Sequence, residues 1–252
     1  MELKVKSIRS TPFAWKYESL NFDLMRTKIY LRRKKEGCTV FMEWVAYALI
    51  GICQGLITAI MGHTEVIMIH EKRLITDYII GGEESNLYEG WLFFTGISMV
   101  LIFISSMATV YYGPGAVGSG NAEIIAYLNG VNYPKLICFE SLIVKIFGII
   151  ITVIGGLCVG KEGPLAHIGA NVGALVPYFP LPRFDYLRND WHKRELIAAG
   201  CSAGVATAFG APIGGALFAY ELSKPNTFWK FSVLWKSFFT CAIAVVCVAI
   251  FA

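Results

Sequence analysis

Charge is scarce in this chain: acidic and basic residues together make up 16% of its 252 residues, and the formal net charge is only +4. A balance so small and so scattered excludes the basic surface that nucleic-acid binding requires. Cysteine is present but unorganised. The seven cysteines, at 38, 53, 138, 158, 201, 241 and 247, lie mostly inside apolar runs and form no CxxC pair. Neither a zinc site nor a disulfide framework follows, and the thiols read as small buried hydrophobes. The N-terminus, Met1-Glu2-Leu3-Lys4-Val5-Lys6, lacks the apolar centre of a signal peptide. No Asn-x-Ser/Thr sequon marks a glycosylated loop.

What the chain has instead is apolar surface. Hydrophobic residues reach 56%, with a mean hydropathy of +0.57. That composition fits an all-α, polytopic membrane protein with short loops rather than one or two soluble domains. Residues 1–38 are polar and basic, and the positive-inside rule makes them a cytoplasmic segment ahead of a transmembrane domain over 39–252. The first apolar run spans about Thr39–Gly62, with Glu43 its only charge. A loop over 63–90, rich in Glu65, Glu71, Asp77, Glu83, Glu84 and Glu89, suits the opposite side. A second span, about Trp91–Tyr112, returns the chain inward. A third, about Cys138–Val159, carries Lys145 near its middle. The run after it, to about Val176, is short and Gly-rich, a partial crossing. Residues 181–195 are charged and cytoplasmic by their basic excess. Leu196–Tyr220 is apolar, dense in glycine and broken by Pro212, and a last apolar run covers Phe238–Ala252. Small residues at this density let helices approach closely in lipid. Interrupted segments of this kind line cavities in transporters built from broken helices.

The stretch Gly155–His167 organises the rest. Glu162 stands between Gly160-Lys161 and Gly163-Pro164. Proline is tolerated in a first helical turn, so a helix is expected from about Gly163 with Glu162 at its N-terminus. Free N–H groups and the helix dipole make such an end an anion site. Glu162 then reads as a resident carboxylate competing with a mobile anion, at a turn where Lys161 and Glu162 are two buried charges. The bland alternative is that Glu162 only caps its own helix. Gly155-x4-Gly160-Lys161 nearly spells a phosphate-binding loop, but Glu162 stands where Ser or Thr must hold magnesium, and the preceding segment is no strand. Gly118-Ser119-Gly120 supplies a hydroxyl and free N–H groups at a second helix start, with Lys145 adding positive potential. Ser119 as nucleophile with His167 as base would make an intramembrane protease, but no third orienting group is evident. His167 reads as a packed or hydrogen-bonded histidine.

Three ordered motifs carry a family resemblance. Gly118-Ser119-Gly120-Asn121-Ala122-Glu123 resembles GSGIPE, Gly160-Lys161-Glu162-Gly163-Pro164 matches GK/REGP, and Gly210-Ala211-Pro212-Ile213-Gly214-Gly215-Ala216-Leu217-Phe218 resembles GAPxGGxLF. Together they resemble the CLC family of chloride channels and chloride/proton exchangers. Tyr17-Glu18-Ser19-Leu20, Lys193-Arg194 and Phe228-Trp229 look most similar to its late-endosomal and lysosomal branch.

The resemblance implies tilted, broken helices forming the first of two inverted repeats, the second repeat and the CBS domains being absent. A fragment or truncated product is therefore expected. It implies that Ser119 coordinates the central chloride, that Glu162 gates, and that Gly118, Gly120, Gly160, Lys161 and Gly163 belong to the anion site, with Lys145 in support. Serine rather than proline at position 119 resembles chloride-preferring members. It also implies a homodimer in lipid, no cofactor, and chloride as the transported ion, either through a voltage-gated channel or in exchange for protons through an antiporter. This sequence departs from the family at Asn121-Ala122, which removes a first-turn proline, and at Leu222, which fills the usual proton-relay position and leaves Glu221 as the neighbouring carboxylate. A non-transporting half that regulates full-length partners is the alternative these departures raise.

Overall fold

Helices are the regular structure throughout the described residues, which are 37–81, 87–131, 135–179, 184–223 and 231–251 of a computed structural model. Eight of them are α-helices: α1 Gly37–Ile80, α2 Leu87–Tyr112, α3 Asn121–Leu128, α4 Phe139–Ile154, α5 Glu162–Leu175, α6 Asp190–Phe209, α7 Pro212–Ser223 and α8 Phe231–Phe251. Short 3-10 turns occupy Pro114–Ala116, Val176–Tyr178 and Phe184–Leu187. Most of the basic segment 1–38, with Tyr17–Leu20, lies outside the described residues, as do Lys224, Lys230, Phe228 and Trp229.

α5 and α6 form the centre. Each carries glycines four residues apart, Gly169 and Gly173 on α5 and Gly200 and Gly204 on α6, and these face one another. A Cβ added at Gly169 would meet the Gly200 carbonyl, and one added at Gly204 would meet that of Leu165. The backbones touch because side chains are missing, which is how helices associate without a hydrophobic driving force between them. α6 is buried over nearly its whole length, from Trp191 to Thr207. Two apolar clusters flank the pair. One joins α1, α4, α5 and α6 through Tyr47, Ile50, Leu142, Ile168 and Leu196. The other joins α3 to the opposite side through Ile124, Leu128, Ala166, Ile197 and Leu222.

Among the described residues, three helices are long and apolar enough to cross a membrane: Val40–Ile80, Leu87–Tyr112 and Phe231–Phe251. α5 has 14 residues, about 21 Å against a hydrocarbon core of about 30 Å, so it crosses only part of the way. Helix α6 ends where Gly210 takes φ +63°, and α7 restarts at Pro212, as the glycine–proline break predicts.

The expected loop over 63–90 is mostly helix. α1 runs for 44 residues to Ile80, because no glycine or proline interrupts the sequence between Gly62 and Gly81. Glu71, Arg73 and Asp77 are exposed, but Lys72 is buried and partnered: its ammonium donates to Ser98 Oγ at 2.7 Å and to the Ile154 carbonyl at 3.0 Å. The third span is also shorter than expected, closing at Ile154, and α8 begins at Phe231 rather than Phe238. Lys236 lies within α8 and reaches Glu43 of α1 at 2.6 Å.

Candidate functional site

The turn into α5 is set by how α4 stops. Gly156 takes φ +86°, its N–H bonds the Val153 carbonyl at 3.0 Å, and that of Leu157 reaches Thr152 at 3.2 Å. This is a Schellman closure, and it needs glycine at the left-handed position. The chain then leaves the helix until Lys161, whose carbonyl accepts the Leu165 N–H at 2.9 Å and opens α5. Glu162 and Gly163 are the first residues of that helix, where N–H groups have no intrahelical partner.

α3 begins in the same place. Gly118 and Gly120 take φ +68° and +82° on either side of Ser119, and α3 starts at Asn121 without a first-turn proline. The loop before it is held by Lys145, which is buried and donates to the carbonyls of Ala116 at 3.0 Å and Gly118 at 2.6 Å. The two helix starts abut. A Cβ on Gly163 would sit 2.7 Å from Ser119 Cβ and 3.3 Å from Asn121 Nδ2. A Cβ on Gly120 would run into the His167 ring, one turn into α5.

Two cavities flank this junction and share Val159 and Gly160. The larger, about 730 Å³, is lined by Gly118, Ser119, Lys145, Gly160 and Pro164, with the hydroxyls of Thr109 and Thr152 nearby. The smaller, about 400 Å³, is lined by Lys161 and Glu162 together with Glu65, Thr58 and Thr207. Ser119 and Glu162 therefore open onto adjoining spaces, while Gly120 and Gly163 form packing between the helices.

Several residues stand elsewhere than the sequence suggests. The turn is not a buried one: Glu162 is exposed, and Lys161 is partly so. The Lys161 ammonium pairs with Glu65 of α1. No sequence motif marks Glu65 as a site residue; the absence of helix breakers after Gly62 is the signal for it. Leu222 is packed in the α3 cluster, whereas Glu221 is exposed and lines neither cavity. His167 is buried with Nε2 against the Leu136 carbonyl at 3.1 Å. No hydrogen bond joins it to Ser119 among the described residues, so the pair lacks the contact a nucleophile and its base require. No group of three metal-ligating side chains occurs among the described residues.

The family model described as voltage gated chloride channel matches residues 101–252. Among curated proteins, chloride channel protein CLC-d of Arabidopsis thaliana is 38% identical over 88% of this chain and 28% of its own length. Chloride channel protein CLC-a of the same plant is 34% identical over 96% of this chain and 33% of its own. The human H(+)/Cl(-) exchange transporter 7 is 33% identical over 91% of this chain and 30% of its own. The chain thus spans about a third of the length of these relatives. Its fold is similar to the crystal structure of a eukaryotic CLC transporter, with a TM-score of 0.72 at 23% identity over 82% of this chain and 38% of that one. A slow cyanobacterial Cl-/H+ antiporter gives 0.71 at 24% identity, over 83% and 46%. With three membrane-length helices among its described residues, the chain is an integral membrane protein and belongs to the voltage gated chloride channel (CLC) family.

Proposed function

We propose that this chain provides one half of a chloride pathway, with Ser119 at the central anion site and Glu162 as the gate. The observation that carries the reading is the meeting of two helix N-termini, α3 and α5, at Ser119 and Gly163. Unpartnered N–H groups and both helix dipoles favour an anion there. Ser119 adds a hydroxyl donor, and Gly118 and Gly160 let a bare backbone approach the ion, while Gly120 and Gly163 allow the two helix starts to meet. Lys145 contributes twice: it brings positive charge to the cavity wall, and it binds the Ala116 and Gly118 carbonyls whose oxygens would otherwise repel chloride. Glu162, at the start of α5, carries the same charge as the ion and competes for the same donors. Ionised, it occupies the anion position; protonated, it leaves.

Lys161 belongs to the neighbouring cavity, where its ammonium is paired with Glu65 beside the gate. With Leu222 in the apolar core, Glu221 is the carboxylate left to carry protons if transport is coupled. Endolysosomal membranes are the proposed location and a homodimer the proposed assembly, as the family resemblance of the motifs implies. The test is simultaneous chloride and proton flux from liposomes containing this chain. Chloride with protons assigns the relay to Glu221. Chloride alone makes the pathway uncoupled at Leu222. No chloride flux from folded protein refutes transport by this chain.

A further inference from the structure

The smaller cavity holds a carboxylate that the transport reading leaves idle. Glu65 of α1 has a side chain only 4% exposed. Its Oε2 accepts the Lys161 ammonium, and its Oε1 is buried with no hydrogen-bond partner. A buried charged acceptor without a protein partner is costly, so a donor that reaches it is favoured.

The cavity's other polar groups have spent their protons elsewhere. Thr207 donates to the Gly204 carbonyl at 2.9 Å. Thr58 Oγ1 lies 3.2 Å from Thr207 Oγ1 and accepts from Gln54 Nε2 at 3.3 Å, which directs its own proton to Thr207. The charged and titratable lining is Glu65 from α1 and Lys161 and Glu162 from the turn into α5. α6 adds only Thr207 and Ala208. Among these groups the one able to gain a proton and present it to Oε1 is Glu162, which at present is folded back on Gly160.

We propose that Glu65 is the docking partner of the displaced gate. The inference rests on the gating reading of Glu162. A proton from solvent adds to the Glu162 carboxylate and stays there. The side chain leaves the anion position, turns across the smaller cavity that it lines, and its O–H donates to Oε1 of Glu65. Glu65 remains ionised, with Lys161 on its other oxygen. The open state is thereby stabilised by a charge-assisted hydrogen bond, about twice as strong as a neutral one. The gate then opens at a higher pH than it would if the protonated side chain met only water.

Glu65→Gln removes the charged acceptor. The expected result, in chloride efflux from proteoliposomes across acid to neutral pH, is an activation midpoint moved toward acid by about one pH unit. Adding Glu65→Gln to Glu162→Ala is expected to change nothing further in the pH profile, because the docking group is gone. An unmoved midpoint in Glu65→Gln, with pH dependence lost in Glu162→Ala, overturns the docking role and leaves the gate intact. Unchanged pH dependence in Glu162→Ala overturns the gate reading and the docking role with it. A structure of Glu162→Gln, whose amide mimics the protonated gate, gives a check that needs neither flux nor the Glu65 variant. The side-chain amide at position 162 is expected within hydrogen-bond distance of Glu65 Oε1. The same amide directed to Ser119 or left against Gly160 overturns the proposal.

Discussion

Replacing Gly200 by alanine probes the α5–α6 contact on which the site is mounted. The added methyl would collide with the Gly169 carbonyl and sit 2.8 Å from its carbon and 3.2 Å from Gly173 Cα. Ordinary carbon contacts fall at about 3.5–4.0 Å. The obstacle is backbone on a buried helix, so no rotamer change relieves it and the helices must separate. Overpacking costs about 1–3 kcal/mol, and a backbone obstacle puts Gly200→Ala near the top of that range. Gly96 of α2 is the matched control: nothing lies within 4 Å of its added Cβ, and alanine there gains about 1 kcal/mol of helix propensity. The two variants should differ by about 4 kcal/mol, or roughly 10 °C in unfolding midpoint at this chain length. Tryptophan fluorescence of the detergent-solubilised chain during a thermal ramp measures it. Equal midpoints for Gly200→Ala and Gly96→Ala would refute close backbone packing between α5 and α6.

Lys145→Met strips both the Ala116 and Gly118 carbonyls of their donor; a loss of about 3 kcal/mol in the same melt is expected, together with lost chloride flux. Lys72→Met unties α1 from Ser98 and from the end of α4, at a cost of about 2 kcal/mol, with chloride flux retained in protein that remains folded. Cys158 is exposed and lines the larger cavity with Ser119; a charged methanethiosulfonate added from the water side should slow chloride efflux, and Cys158→Ser should abolish that sensitivity.

Local chemistry was readable in the sequence, and long-range pairing was not. Gly163-Pro164 after Glu162 indicates a helix start, and Gly210 followed by Pro212 indicates a stop and a restart, because each is a backbone rule acting over a few residues. Glycine density in 163–173 and 200–215 likewise announces close packing, though only the structure pairs Gly169 with Gly200. The reach of α1 past Gly62 was obscured by its charges. Glu65 and Lys72 read as solvent-facing until Lys161 and Ser98 are seen to receive them. Glu65 and Lys161 lie 96 residues apart, and no local periodicity reports such a contact. Lys145 stands out as a charge in an apolar run, but its grip on the Ser119 loop depends on three segments meeting. The separation of Ser119 and Glu162 into adjoining cavities is a matter of side-chain direction at two helix starts, which motif spacing does not encode.

The most direct test of the account is chloride efflux measured against pH for this chain in liposomes, beside its Glu162→Ala variant. A carboxylate that competes with chloride for the α3 and α5 N-termini predicts flux that rises as pH falls, and flux in Glu162→Ala that is open at every pH. Flux in Glu162→Ala that keeps the parent's pH dependence would contradict it.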